Sequence, residues 1–217
     1  MHNQYPNERY IEMGPFRPGM RKVLEKFVAW ARTYPNCDAI VEWEKHIYGR
    51  VADMGCNVGV FSLFLAELES VDTVTGIDIN DDAFKVFRDL LRTSTGCFPE
   101  SVRHKIVWPP IHANIVNLAT VKNDSFDTVC CFQTFEHLYE KDVEPFLAEL
   151  KRVLVPGGKC IICIPYDHFH DSGNHKTFWT EISLAVLFNI CGFKTIKCSI
   201  ARMNMIHGLF ENTVGSY

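Results

Sequence analysis

Residues 50–62 read RVADMGCNVGVFS, and this stretch decides the fold. Val51 and Ala52 begin a short strand that Asp53 closes. Gly55 and Gly59 bracket a tight turn, and the largely apolar run over residues 60–68 opens a helix. A strand, glycine turn and helix in this order brings a ligand close to the backbone at the carboxyl edge of a parallel sheet, with the helix N-terminus facing it.

What the turn lacks narrows the ligand. A dinucleotide site needs a second glycine so that the main chain can approach a pyrophosphate. Here the middle position is Asn57, and Asp53 would set a carboxylate beside the phosphates. The turn therefore suits a ligand without phosphate. The DxGxxxG pattern of Asp53, Gly55 and Gly59, followed by the acidic strand end GIDIN at residues 76–80, resembles the class I S-adenosylmethionine-dependent methyltransferases. That cofactor is cationic at sulfur and ammonium, and an acidic, glycine-lined pocket complements it. The resemblance implies cofactor contacts from Asp53, Gly55, Cys56, Asn57 and Gly59, and then from Asp78 and Ile79.

Composition bounds the alternatives. A chain of 217 residues, 47% hydrophobic, can bury one substantial core, so a single domain over 1–217 is expected, with 1–49 as a helical extension and 50–217 as the core. A formal net charge of −4 gives no excess for neutralising phosphates, so no nucleic-acid partner is expected. The N-terminus MHNQYPNERY has no apolar leader core, and no run reaches about eighteen uncharged apolar residues, so a cytoplasmic protein without a membrane span is expected. Nine cysteines do not make a disulfide framework here. Cys130, Cys131, Cys160 and Cys163 lie inside strand-like apolar runs and read as buried thiols, and the three-residue offset between Cys160 and Cys163 turns them to opposite faces of a strand.

Upstream of the turn, Met20, Val23, Leu24, Phe27, Val28 and Ala31 repeat at helical spacing, which predicts a helix that packs on the sheet or forms a lid. Downstream, residues 71–79 read as a second strand with Asp78 at its tip, 23 positions after Gly55, where a carboxylate can accept both hydroxyls of a ribose. On that reading, losing Asp78 weakens the cofactor and leaves stability nearly alone. A third strand is expected near residues 105–108, before Pro109 and Pro110. Family members usually carry an acid just beyond it for the adenine amino group, and Asn114 stands there in this chain, its amide oxygen able to accept the same bond.

Residues 126–132 read as a fourth strand, followed by Gln133, Thr134, Phe135, Glu136, His137 and Leu138. This segment resembles the family's fourth strand, whose small-molecule branch often ends in the same EHL. The resemblance lays Gln133 along the cofactor and turns Glu136 and His137 toward the methyl group. A helix with Pro145 in its first turn, a Pro156, Gly157, Gly158 reversal and a fifth strand over 159–164 follow. Beyond Pro165 the polar stretch YDHFHDSGNHKTFWT contains Asp167, His168, His170 and His175. None shows a fixed ligand spacing, so no metal is expected, and the resemblance makes His175, Phe178 and Trp179 pocket wall. A helix over 181–190, a stop at Gly192, a strand over 193–199 and a last strand near 206–210 complete the chain.

The expected fold is a doubly wound α/β sandwich. Its mostly parallel seven-stranded sheet carries helices on both faces and an added N-terminal helix. The expected activity is methyl transfer from S-adenosylmethionine to oxygen, nitrogen or carbon of a small acceptor, with His137 and then His175 as candidate bases, since imidazole titrates near neutral pH. Two other classes share the features: a non-catalytic S-adenosylmethionine-binding subunit and, against the missing glycine, a nicotinamide-dependent oxidoreductase.

Overall fold

The computed structural model describes residues 21–93, 96–166 and 174–213. Its elements in chain order are α1 (Arg21–Ala31), α2 (Pro35–Trp43), β1 (Gly49–Met54), α3 (Val60–Ala66), β2 (Val71–Asp78), α4 (Asp81–Thr93) and α5 (Glu100–Arg103). Then come β3 (Ile111–His112), β4 (Phe126–Phe132), α6 (Glu140–Val153), β5 (Leu154–Pro165), α7 (Glu181–Ile190), β6 (Phe193–Ala201) and β7 (Met205–Asn212). The strands form one mixed sheet in the order β3-β2-β1-β4-β5-β7-β6. The pairs from β3 through β5 are parallel, whereas β7 lies antiparallel to both β5 and β6. Strand order therefore reverses between β1 and β4, and a crevice opens at their carboxyl ends.

Alternation along the strands builds a core on each face. Val51, Cys130, Phe132, Ile161 and Cys163 pack with α1–α4 residues such as Val28, Ile40, Leu63 and Phe87. Ala52, Met54, Cys131, Cys160 and Ile162 pack on the other face with Phe146 and Leu150 of α6 and Phe188 of α7. Cys160 and Cys163 thus face opposite layers, and all nine cysteines are free thiols. No helix among the described residues is long and apolar enough to cross a membrane.

Four of the boundaries that differ from the sequence expectation have a local reason. Around residues 105–108 only Ile106 bridges to Val74, and the paired strand is Ile111–His112 beside Ile77 and Asp78. Pro109 and Pro110 supply no N–H, so the ladder resumes only beyond them. Helix α6 starts at Glu140, which puts Pro145 in its second turn; Glu140 and Asp142 suit the positive helix end and extend it N-terminally past the apolar set. Strand β5 spans more than 159–164 because Phe126 pairs with Leu154 before residues 155–158 bulge out, with Gly157 at φ +80°. Pairing resumes from Thr128 to Lys159. Strand β6 continues two residues beyond Ser199, to Ala201, opposite Met205.

Candidate active site

The glycine turn between β1 and α3 is held from both sides. The N–H groups of Gly55 and Cys56 both donate to the Ile77 carbonyl, at 2.8 and 3.2 Å. Gly55 has φ +81°, and a Cβ there would meet Thr134 Oγ1 at 2.1 Å. Gly59, at φ +75°, has a different constraint: a Cβ there would run into the Phe87 ring at 2.2 Å. Gly55 thus keeps backbone open beside Thr134, while Gly59 lets α4 pack against the turn.

The two carboxylates of this region divide their work. Asp53 is buried, and its Oδ2 accepts from the Ser62 hydroxyl at 2.6 Å. Burial pushes its pKa up to about 7; the Ser62 bond opposes this and the nearby Asp78 charge adds to it. Asp78, 6% exposed, accepts from Asn57 N–H through Oδ2 and from Asn80 N–H through Oδ1, both at 2.8 Å. Burial raises its pKa and these backbone bonds hold it down. Each Asp78 oxygen keeps a second lone pair for a ligand hydroxyl.

A cavity of about 780 Å³ spreads over the carboxyl ends of β1, β2 and β4, within the roughly 300–1,000 Å³ range of small-molecule sites. Gly55, Cys56 and Asn57 line it, followed by Asp78, Ile79, Asn114 and Gln133. Asp53 and Gly59 do not line it; they shape the turn from behind. Asn114 Oδ1 already accepts from Val116 N–H at 3.2 Å. Gln133 sits in the left-handed region at φ +52°, its N–H bonded to the Cys163 carbonyl at 2.8 Å, so β4 ends abruptly with this side chain at the cavity. The cradle fits an adenosine-bearing cation: Gly55 admits close backbone approach, Asp78 has free lone pairs, and the buried Asn57 Oδ1 is an acceptor with no partner among the described residues.

The far end of the cavity is made by the short helical turn Phe135–His137 and the segment before α7. Lys176 and Thr177 donate their N–H groups to the Glu136 carbonyl at 2.8 and 3.2 Å, stitching the two segments together. Thr180 caps α7 reciprocally with Ser183, which fixes where the second segment ends. His137 and His175, 38 positions apart in sequence, consequently meet with ring centroids 5.1 Å apart, and both line the cavity. Burial lowers the His137 pKa, so the ring is neutral near pH 7; a bond from Nδ1 to the Asn174 carbonyl at 3.3 Å opposes the shift. Glu136 lies beneath, 2% exposed, with neither carboxyl oxygen hydrogen-bonded among the described residues, and burial pushes its pKa up to about 8.

Two expected wall residues turn elsewhere. Trp179 packs on Phe135 at 5.3 Å with its Nε1 donating to Thr177 Oγ1, and Phe178 does not line the cavity. Asp167, His168 and His170 lie outside the described residues. Tyr34, Met203 and Met205 also line the cavity without any motif marking them, as does Thr134 beside Gln133 at the end of β4. Helix α1 packs on the sheet through Val28 and Ala31, which enter the core, while Phe27 and Trp30 line the cavity.

A family model described as Methyltransferase domain matches residues 52–162, from β1 into β5. Among solved structures, a SAM dependent methyltransferase from Aquifex aeolicus is 16% identical with a TM-score of 0.68, covering 89% of this chain and 98% of its own. SAM-dependent methyltransferases from Methanosarcina mazei are represented at 20% identity and a TM-score of 0.60, covering 76% of this chain and 93% of that one. The cyclase SpnF shares the fold as well, at 16% identity and a TM-score of 0.65, with 83% and 81% covered. The matched segment contains Asp53, Gly55, Gly59, Asp78 and the 133–137 strand end described above, and the chain belongs to the class I S-adenosylmethionine-dependent methyltransferases.

Proposed function

We propose that this enzyme methylates an oxygen, nitrogen or carbon of a small or modest-sized acceptor held between Gln133, the His137 and His175 pair and the roof of α1. The observation that carries the proposal is the continuity of one cavity from the glycine turn and Asp78 to the two imidazoles. S-adenosylmethionine supplies an electrophilic methyl group. Main-chain groups of Gly55, Cys56 and Asn57 receive its amino-acid end, Asp78 accepts its ribose hydroxyls, and Ile79 and Asn114 face adenine. Gln133 lies along it; Asp53 and Gly59 act through the shape of the turn.

The remaining task is to hold an acceptor in line and dry. Phe27, Trp30 and Tyr34 exclude water at the roof, which strengthens every electrostatic contact below. His137, and second His175, take up the proton of an acceptor that must lose one; a neutral imidazole at pH 7 suits that work.

The test starts with calorimetry using S-adenosylhomocysteine, then incubates the enzyme with S-adenosylmethionine and pooled metabolites while masses one methyl heavier are sought. Methyl consumption with such a product supports the proposal. Binding without consumption across a broad panel would make the chain a non-catalytic cofactor-binding subunit. Tight binding of a dinucleotide with none of S-adenosylhomocysteine would point to the oxidoreductase class instead.

A further inference from the structure

The sequence offers no ligand spacing for a metal, yet the fold assembles one donor set among the described residues: one ligand atom each from Glu136, His137 and His175, all within 4.8 Å of one another. We infer that these three side chains form a binding site for a divalent transition cation at the acceptor end of the cavity, a deepening that rests on the acceptor-side role proposed for the two histidines.

Two independent features point to a missing cation. Glu136 is 2% exposed, and neither of its oxygens has a hydrogen-bond partner among the described residues, so even the protonated acid is left unsatisfied and a positive ion would complete it. His137 is also already oriented. The Asn174 carbonyl can only accept, so the bond at 3.3 Å puts the hydrogen on Nδ1 and leaves the Nε2 lone pair toward Glu136, whose Oε1 is 4.0 Å away. A ring N–H anchored to a backbone carbonyl, leaving the other nitrogen for the metal, is how metal-ligating histidines are held. The neighbouring Lys176 ammonium lies 5.8 Å from the Tyr139 ring centre and so has another contact.

Geometry and donor type set the ion. Bond lengths of about 2.0–2.2 Å in a tetrahedral site imply donor separations of about 3.3–3.6 Å, so side-chain rotations closing the set by up to about 1.5 Å would seat the ion. Two imidazoles with one carboxylate suit zinc, cobalt or iron better than magnesium or calcium. Three protein ligands leave a coordination position open, and since His137 and His175 line the cavity while Glu136 lies beneath, that position faces the acceptor. An acceptor offering an anionic or lone-pair oxygen is the class such a site would hold. A coordinated Nε2 on His137 cannot also accept the acceptor's proton, so the titration decides between the two uses.

The experiment is a titration of the chelator-treated full chain with Co²⁺, read by its visible absorption, followed by Zn²⁺ displacement, with S-adenosylhomocysteine affinity measured on the same samples. Glu136→Gln, which keeps the buried volume, and His175→Ala are the variants. Expected is one equivalent of Co²⁺ displaced by Zn²⁺, weakened at least 10-fold in each variant while S-adenosylhomocysteine affinity stays within about twofold. No Co²⁺ or Zn²⁺ binding by a parent that still binds S-adenosylhomocysteine overturns the site and leaves His137 a free base. Metal binding undiminished in both variants, or carrying intense thiolate charge-transfer bands, overturns it too, since the ion then sits elsewhere. Binding that follows the variants in a chain that ignores S-adenosylhomocysteine keeps the site and instead removes the methyl-transfer proposal.

Discussion

Asp78→Ala separates two jobs that one carboxylate performs. From sequence, Asp78 was expected to serve the ribose alone, so its loss would spare stability. The structure changes that expectation, because its two oxygens hold the N–H groups of Asn57, in the glycine turn, and Asn80, at the entry to α4, each at 2.8 Å. Hydrogen bonds to a charged group contribute about 1.5–3 kcal/mol each. Water from the adjoining cavity would replace part of that, so about 2–4 kcal/mol of stability should go with the side chain. Cofactor affinity should fall at least about 100-fold, as the ribose partners vanish and the turn that presents Asn57 loosens.

Urea unfolding with and without S-adenosylhomocysteine reads both quantities. At a ligand concentration about 100 times the parent Kd, the parent gains about 2.7 kcal/mol, whereas a variant with 100-fold weaker binding gains only about 0.4 kcal/mol. A variant with parent stability in the absence of ligand would refute the anchoring of the turn. A variant with the parent's ligand-dependent gain would refute the ribose assignment, whatever its stability.

Asp53→Asn tests the buried carboxylate behind the turn. With its folded pKa raised to about 7 from an unfolded value near 3.9, the parent holds the extra proton in the folded state between those values, so its stability is full below about pH 4 and falls as pH rises through about 7, by up to about 4 kcal/mol from this group. The variant should gain stability over the parent at pH 8 and not at pH 4 in denaturant titrations; a difference independent of pH would mean Asp53 is ionised throughout. Gly55→Val should abolish S-adenosylhomocysteine binding in calorimetry, since its Cβ would meet Thr134 Oγ1 at 2.1 Å at a φ of +81°, and retained affinity in a folded variant would move the ligand elsewhere. His137→Ala should lower turnover about 10²- to 10⁴-fold with S-adenosylhomocysteine affinity near the parent's, and a mild effect on turnover would leave positioning and desolvation as the mechanism.

What was legible in the sequence is what short-range chemistry dictates. The turn at 53–59, the acidic tip at Asp78, the α7 boundaries and the strand end at Gln133 follow from residue types whose backbone or periodicity demands are local. The third strand was misplaced because two prolines decide where a ladder can form, and only the partner strand shows where it resumes. The insertion of β7 between β5 and β6 is not legible in the sequence, since no side-chain pattern specifies which neighbour a strand takes. The family resemblance places Trp179 at the cavity wall, but its ring packs on Phe135 instead. The meeting of Glu136 and His137 with His175 was equally out of reach, because it depends on backbone bonds from Lys176 and Thr177 across the fold.

Charge gives these observations a common cause. Asp53, Asp78 and Glu136 are all removed from water around one cavity, and burial raises the pKa of each. A fold selected for stability alone would replace such groups with apolar or neutral side chains, since burying an acid weakens the folded state even where, as at Asp53 and Asp78, hydrogen bonds offset part of the cost. Their retention leaves the free protein holding protons on Asp53 and Glu136 into the neutral range, a deficit of positive charge at the turn and again beneath the two imidazoles that a cationic ligand would make good. A sulfonium and ammonium ligand would meet the first deficit, and the cation inferred at Glu136 would meet the second. The two deficits are separable by ligand choice. S-adenosylhomocysteine keeps the ammonium but lacks the sulfonium charge, so a preference for S-adenosylmethionine over it that disappears in Asp53→Asn would trace to the turn, whereas one that responds only to Glu136→Gln would trace to the acceptor end.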